Sequence, residues 1–380
     1  MRLAWIEARD FRNHRETSLE VPPGLIAVVG PNGQGKTNLL EAMHYLCALE
    51  SARVHSDLPL VRIGAPSAFV RGEILTEGGR FLVEVEVRPS GANRVQVNRS
   101  AVRRKRDLRA SVRSVFSGPD DLAVVQGDPE ERRRFLDEAI RVLWPQREPA
   151  IAAYERVVRQ RNRLLKDWEG PGGPADLAAW DAELVANGSA LTALRAEAVR
   201  RVAPRAAAEF ATLVGDPTQT LAAVYEPSIP GGQEVGVGES AEPAERAERV
   251  DRVARAFRDR LAERRQDELV RRTTLVGPHR DDLALAVHAM VARGFASHGE
   301  AWGAALSLRL ALAGGVAEEI RETPVTFLDD PFSPFDPERR GRLAAALGGR
   351  GQVAIAVPDD AQIPPGATVW RVKEGLVVPE

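Results

Sequence analysis

The chain has 380 residues, with 52 Lys plus Arg against 54 Asp plus Glu and a formal net charge of −2. That balance excludes a surface that is basic overall, so any nucleic-acid contact must come from a local patch. With 44% hydrophobic and 28% charged residues the composition is that of an ordinary soluble protein, long enough for roughly two or three domains.

The single cysteine, Cys47, rules out an internal disulfide and suits a reducing compartment; packing is its simplest role. No apolar run approaches a membrane span, and Met1-Arg2-Leu3-Ala4-Trp5 lacks the pattern of a signal peptide. A cytoplasmic protein without a membrane partner is expected.

Residues 1–98 predict an α/β region. Leu19-Glu20-Val21, Leu25–Val29, Phe69–Ile74 and Arg80–Val87 read as strands. The last alternates apolar and charged residues like a half-buried antiparallel strand. Asn93–Asn98 alternates again and is expected to pair with it across Pro89-Ser90-Gly91. Between these strands lies Gly30-Pro31-Asn32-Gly33-Gln34-Gly35-Lys36-Thr37, which fits G-x-x-x-x-G-K-[ST] in full. The apolar run Leu25–Val29 before it predicts a buried parallel strand, and Asn38–Met43 after it opens a helix. A chance glycine loop would lack those flanks. The glycines let backbone N–H groups turn inward, and the helix N-terminus favours an anion. Gly30 through Asn38 are therefore expected to hold a nucleoside triphosphate. Lys36 would reach the β and γ phosphates as a catalytic residue, and Thr37 would hold Mg²⁺. The loop indicates a nucleoside triphosphate, not the use made of it.

Downstream, Arg53 of Ser51-Ala52-Arg53 has two readings, a nucleotide or DNA contact and a surface salt bridge. Arg99, Arg103, Arg104, Lys105, Arg106, Arg109 and Arg113 form the densest basic cluster, opposed only by Asp107. It is either a solvated face or a sequence-independent contact to DNA phosphates. From about residue 128 the period becomes helical. Ile151, Tyr154, Val157, Val158, Leu164, Leu165 and Trp168 fall on one face, and Gly170–Pro174 breaks that helix. Trp180, Leu184, Leu191 and Leu194 start another, antiparallel to the first, with Trp168 and Trp180 expected in the core. Residues 226–245 predict a mobile loop. Val250, Val253, Phe257 and Leu261 mark a third helix.

The α/β pattern returns near Thr274. His279 has no Cys or His at ligand spacing, so a structural role is expected rather than a metal. Ser297-His298-Gly299-Glu300 opens an Ala/Leu-rich helix. It is read either as an N-cap serine with a turn glycine or as a second phosphate-binding device, Ser297 and Gly299 acting as an ATP sensor. Pro324–Asp330 is an apolar strand ending in two carboxylates. Asp329 would bind Mg²⁺, through water, and Asp330 would orient and deprotonate the attacking water. Gln352–Val357 is a further buried strand. The sheet is thus split between the two ends of the chain, with a helical insertion between.

Several stretches together resemble the RecF family of bacterial recombination-repair ATPases, of the ABC/SMC type. They are Asp10-Phe11-Arg12-Asn13-His14, the extended loop from Gly30 to Ala42, Pro119–Pro129 followed by Arg132-Arg133-Arg134-Phe135-Leu136-Asp137, Gly277–Leu283, the acidic strand, and Asp336-Pro337-Glu338-Arg339-Arg340. They span nearly the whole chain. The resemblance implies an ABC-type ATPase head without a long coiled coil: an α/β lobe from 1–118 and 272–380 and a mainly helical lobe from 119–271. It implies ATP as the triphosphate held by Gly30 through Asn38, ATP-dependent homodimerisation on double-stranded or gapped DNA, weak ATP hydrolysis, and recombinase loading with RecR and RecO. By position, Lys36 and Thr37 match Walker A, Asp329 and Asp330 Walker B, Ser297 with Gly299 the ABC signature reaching the γ-phosphate held by the other copy, and Asp336 the D-loop. With the resemblance, Arg103, Arg104, Lys105 and Arg106 become the expected DNA contact. The triplet Arg132, Arg133 and Arg134 has a second reading, ion pairs with Glu130, Glu131 and Asp137.

Three positions depart from the family pattern: Trp302 where a basic residue is usual, Ser333-Pro334-Phe335-Asp336 in the D-loop, and Ala356-Val357-Pro358 after the last core strand. They bear on hydrolysis more than on ATP binding, so an ATP-binding scaffold with lost or very slow turnover stands as the alternative. A P-loop small-molecule kinase is opposed by the split layout and the Ser297 segment.

Overall fold

The helix that follows the glycine loop, Lys36–Ala48, carries apolar residues on every side, and in the computed structural model Leu39 through Ala48 are all buried. A helix apolar all round must be covered on all faces. The structure describes residues 1–54, 56–170, 173–216, 218–235 and 243–380. It divides into two units: Met1–Leu122 with Arg205–Thr220 and Ala296–Glu380, and Ala123–Pro204 with Leu221–Phe295.

In chain order the first unit supplies β1 (Arg2–Phe11), β2 (His14–Glu20), β3 (Leu25–Val29), β4 (Ala68–Thr76), β5 (Gly79–Val87), β6 (Arg94–Val97), β7 (Ser100–Ala101) and β8 (Ser114–Ser117). The second supplies β9 (Leu221–Glu226), β10 (Asp282–Val287) and β11 (Met290–Val291). The chain then returns to the first for β12 (Val325–Asp329), β13 (Val353–Val357), β14 (Thr368–Lys373) and β15 (Leu376–Pro379).

The first unit is layered around the helix Lys36–Ala48. One side is an antiparallel sheet in the order β2-β1-β4-β5-β6-β7. The other is the sheet β15-β14-β3-β13-β12-β8, parallel from β14 to β8. One cluster joins Leu3, Ile6 and Val70 of the first sheet, Leu39, Leu40 and Met43 of the helix, and Phe116, Phe327 and Trp370 of the second. On the far face of the parallel sheet the helices His298–Ile320 and Pro337–Leu347 cover Val29, Leu328 and Ile355 through Trp302, Leu306 and Leu343. Being covered on both faces, β12 and β13 are buried along their whole length and read as unbroken apolar runs. The buried Gln352 side chain imitates a peptide group, accepting from Leu3 N at 2.7 Å and donating to Leu3 O at 2.9 Å.

In the second unit the helices Pro149–Asp167 and Pro243–Arg271 and the part of the helix Leu177–Val214 up to Pro204 are joined by one buried cation. Arg161 donates to Asp181 at 2.9 Å, to Glu268 at 2.5 Å and to Thr274 Oγ1 at 2.9 Å. Charge this deep persists only when its donors are paired. The sheet β11-β10-β9 is antiparallel. No helix among the described residues is long and apolar enough to cross a membrane.

Several expectations change. Residues 272–295 cluster with the second unit because β10 pairs with β9. Residues 205–220 cluster with the first, where Leu213 packs beside Trp302. Strand β1 is not among the strands expected from the sequence; a register shift between Leu3 and Trp5 interrupts its alternation. Trp168 and Trp180 are half-buried rather than core. Residues 171 and 172 of the helix breaker and 236–242 of the expected loop lie outside the described residues, and the helix Pro243–Arg271 begins inside that loop's expected span. β5 pairs with β6 as expected, with Val83 opposite Val97.

Truncating Leu40 to Ala should cost about 2–5 kcal/mol, since the side chain is fully enclosed between two sheets. Urea unfolding measures it; an unchanged midpoint would contradict the sandwiched helix.

Candidate nucleotide site

Strands β3, β13 and β12 run parallel, so their C-terminal ends share one edge of the sheet. The glycine loop leaves β3 there, and Asp329-Asp330 leaves β12 there, with β13 between. Backbone bonds pin both exits: Gly30 N donates to Val357 O at 3.3 Å and Asp330 N to Ala356 O at 3.1 Å. Glycine is required at position 30, where a Cβ would sit 2.4 Å from Val372 O. Gly33 and Gly35 have φ of 81° and 113°, the left-handed side that lets the loop turn its amides inward.

Lys36 lies folded over the loop, donating to Gly30 O at 2.6 Å and Pro31 O at 3.0 Å. Burial lowers its pKa, while Asp329 and Asp330 act in the opposite direction. Thr37 Oγ1 donates to the Asp329 carboxylate, 2.8 and 2.9 Å from its two oxygens. Burial raises the pKa of Asp329, and the Thr37 bond opposes it. Asp330 is held at φ 51°, rare for a residue with a Cβ. Burial raises its pKa too, opposed first by a bond from Ser333. Its Oδ1 is buried without a partner. A hydroxyl, a carboxylate and an orphaned carboxylate oxygen together form a hard-oxygen donor set that fits Mg²⁺.

The sequence gives no sign that a brace lies beneath the loop, although Asn13 and His14 belong to the family-like stretch. Asn13 Nδ2 donates to Gln34 O at 3.1 Å, and Asn38 Nδ2 to Asn13 Oδ1 at 2.8 Å. Gln34 also accepts from the β14–β15 turn: Gly375 N to its carbonyl at 2.9 Å and Glu374 N to its Oε1 at 2.7 Å. The side chain of Gln34, expected at the nucleotide, is thus committed to the scaffold. Glu41 is fully buried and accepts from Arg12 at 2.8 and 2.9 Å and from Ser51 at 2.5 Å. Arg53 joins that network, 3.2 Å from Asn38 Oδ1 and 3.4 Å from Glu41, which favours its ion-pair reading. Ser333 enters the sequence reading only as the first residue of the altered D-loop stretch, and Gly375 carries no signal there.

The other candidates have contacts of their own. Ser297 caps the helix His298–Ile320 in a reciprocal box, accepting from Glu300 N at 3.3 Å and donating its own N–H to Glu300 at 2.8 Å. A Cβ on Gly299 would meet Pro334 O and Arg339 only at ordinary contact distance, so packing does not demand glycine. Trp302 is buried, and its indole donates to Pro331 O at 3.0 Å. Arg103 and Arg104, just before the short helix Lys105–Arg109, and Lys105 within it are exposed, and Arg106 in its first turn is half-buried. Arg109 and Arg113 are buried, so the solvent-facing cluster is smaller than the sequence suggests. Arg132 pairs with Asp282, at 2.6 and 2.8 Å, rather than with its helical neighbours, while Arg134 does pair with Glu131 at 2.6 Å. Asp137 pairs with Arg195. His279 bonds Tyr154 Oη at 2.6 Å and Thr274 O at 3.0 Å, and burial pushes its pKa down to about 4.

Because the pKa of Asp329 is raised in the folded state, its contribution to stability is present at low pH and lost as pH rises through the folded value. Asp329→Asn should therefore be more stable than wild type without nucleotide, with a gain in thermal unfolding that grows as pH rises above the ordinary aspartate value of about 4. A variant less stable across that range would refute the desolvation account.

The model of the "RecF/RecN/SMC N terminal domain" matches residues 2–358. The "DNA replication and repair protein RecF" of Streptomyces avermitilis is 41% identical over 388 residues, covering 99% of each chain. That of Frankia alni is 40% identical over 98% of this chain and 97% of its own. A solved structure of the recombination mediator RecF with ATP, described as part of the RecFOR pathway, superposes with TM-score 0.85 at 26% identity, covering 100% of this chain and 97% of its own. An SMC head bound to the C-winged helix domain of ScpA shares the fold at TM-score 0.56 and 14% identity, covering 100% and 98%. The α/β core with its helical second unit is an ABC/SMC-type ATPase head, and the chain belongs to the RecF family of DNA replication and repair proteins.

Proposed function

We propose that this chain is an ATP-gated DNA-binding protein of recombinational repair. The observation that carries this is the Thr37–Asp329 bond beside the unpartnered Asp330 Oδ1, at the mouth of an intact glycine loop. Backbone amides from Asn32 to Thr37, with Asn38 behind them, would hold the phosphates; Gly30, whose N–H is bonded to Val357 O, and Pro31, which has none, shape the loop. Lys36 would leave the loop carbonyls for the β and γ phosphates, and Thr37 with Asp329 would hold Mg²⁺. Asp330 is the base that would position water. Relatives solved with ATP and with an ATP analogue support the ligand.

ATP would join two copies, Ser297 and Gly299 of one facing the γ-phosphate held by the other. The dimer would sit on double-stranded DNA near gaps, with Arg103, Arg104, Lys105 and Arg106 on the phosphate backbone. The pathway named for the solved relatives supports RecR and RecO as partners in recombinase loading. The two lobes would be an ATPase lobe, 1–118 and 272–380, and a helical lobe, 119–271, adjusted at their edges by the packing of β10 on β9.

A second reading, ATP binding with turnover lost or very slow, is favoured by Trp302. Its side chain is committed to the core and to Pro331 O, so position 302 offers no cation outward.

Dimerisation, double-stranded DNA binding and phosphate release, each measured with ATP, ADP and no nucleotide, separate the readings. ATP-dependent dimers with slow release fit the first, and dimers with no release fit the second. Lys36→Ala should abolish ATP-dependent dimerisation; a variant that still dimerised would count against the model. Replacing Arg103, Arg104, Lys105 and Arg106 by Glu should weaken DNA binding. It should also flatten the dependence of log K on log salt by roughly 0.9 for each phosphate no longer neutralised. Unchanged affinity and slope would exclude that segment.

A further inference from the structure

Among the groups that brace the glycine loop, His14 differs from the rest. It is fully buried at the start of β2. Its Nε2 lies 3.0 Å from Gly35 O, and its Nδ1 lies 2.9 Å from Gly375 O and 3.2 Å from Thr17 Oγ1. Both carbonyls are acceptors only. A neutral imidazole has one N–H, so it donates to one of them and turns a lone pair on the other; the imidazolium donates to both.

The Gly35 carbonyl is not an arbitrary acceptor. The peptide unit is planar and trans, so the direction of Gly35 C=O fixes the opposite direction of Lys36 N–H. That amide is among the first N–H groups of the helix Lys36–Ala48, which have no partner within the helix and point toward a phosphate in the loop. Gly35 O also accepts from Leu39 N at 2.9 Å, so His14 is its second donor, approaching from outside the helix. Gly375 belongs to the turn that bonds Gln34 twice. One side chain therefore bridges the loop and the hairpin that steadies it.

We propose that His14 is a positioning residue that sets the glycine loop for phosphate by bridging the Gly35 carbonyl and the Gly375 carbonyl of the β14–β15 turn, an inference that rests on the nucleotide reading above. Burial lowers the pKa of the ring, and the two carbonyls act in the opposite direction. The charged side chains on the surrounding elements include Arg12 with its partner Glu41, Asp10 bonded to Arg62, Lys36 on the loop carbonyls, Arg15, Glu16 and Glu20 exposed on β2, Arg371 bonded to Glu380, and Lys373 and Glu374 exposed at the hairpin. Triphosphate seated in the loop adds negative charge and favours the imidazolium. Binding therefore draws a proton toward His14, and affinity gains as pH falls.

The test compares wild type, His14→Gln and His14→Phe by equilibrium binding of MgATP between about pH 6 and 8, with unfolding curves to establish that each is folded. His14→Phe keeps the ring and loses both donors; its affinity at pH 7 should fall roughly three- to tenfold, the worth of one or two hydrogen bonds. His14→Gln keeps one donor and should restore most of that loss. The ratio of wild-type to His14→Gln affinity should rise as pH falls, a comparison in which the nucleotide's own ionisation cancels. A ratio flat across the range, or a His14→Phe protein that binds as wild type does, overturns the proposal. Absence of binding in wild type would remove the nucleotide reading itself, and the role of His14 with it.

Discussion

The enclosure of one helix governs the rest of this molecule. Lys36–Ala48 is covered by an antiparallel sheet on one side and a parallel sheet on the other, with Leu39, Leu40 and Met43 in one cluster with both. A helix held so cannot rotate or slide without opening two interfaces. Its first residues are the end of the glycine loop, so the amide directions there are inherited from the core. Phosphate recognition by backbone amides needs that rigidity, because a loop free to rearrange would lose ordering entropy on binding.

The same enclosure makes the ionisable groups at the mouth uncomfortable. Lys36, Asp329 and Asp330 are each pushed toward the uncharged form, with burial as the leading cause in all three. Bonds from Thr37 and Ser333 offset part of this, as does the attraction between Lys36 and the two carboxylates, while Asp330 repels Asp329 and adds to its shift. What remains is a left-handed Asp330 with an orphaned oxygen, and a lysine folded on two carbonyls that it must release for a phosphate. Local departures from the usual packing rules concentrated at one sheet edge are the mark of a site kept for a ligand.

The site is more legible in the sequence than its scaffold. A loop bounded by an apolar strand and a helix is a local pattern, and Gly30 through Thr37 stand in it as the spacing requires. The second carboxylate strand is legible because β12 is buried on both faces and so reads as an unbroken apolar run. The brace is hidden, since His14 and Gly375 are 361 positions apart and its bonds run largely to backbone atoms, which carry no sequence identity. β1 is hidden by its bulge, and the burial of Arg109 and Arg113 by their being arginines. A basic run reports charge, not which way each side chain turns. Arg132 makes the same point: its partner Asp282 is 150 positions away, beyond the reach of a helical-spacing argument.

The two readings of Ser297 prove compatible on chemical grounds. As a cap, its hydroxyl oxygen accepts from Glu300 N. A serine oxygen has lone pairs for that, and its O–H proton remains available to a second acceptor. The cap holds the hydroxyl at the helix N-terminus, where the dipole favours an anion and donors face outward. The nearby Glu300 carboxylate, bonded to Ser297 N, opposes an approaching phosphate unless it stays turned back onto the backbone. The reciprocal box supplies that restraint. Capping, the plainer reading, is thus the arrangement that would ready Ser297 for a phosphate brought by a second copy.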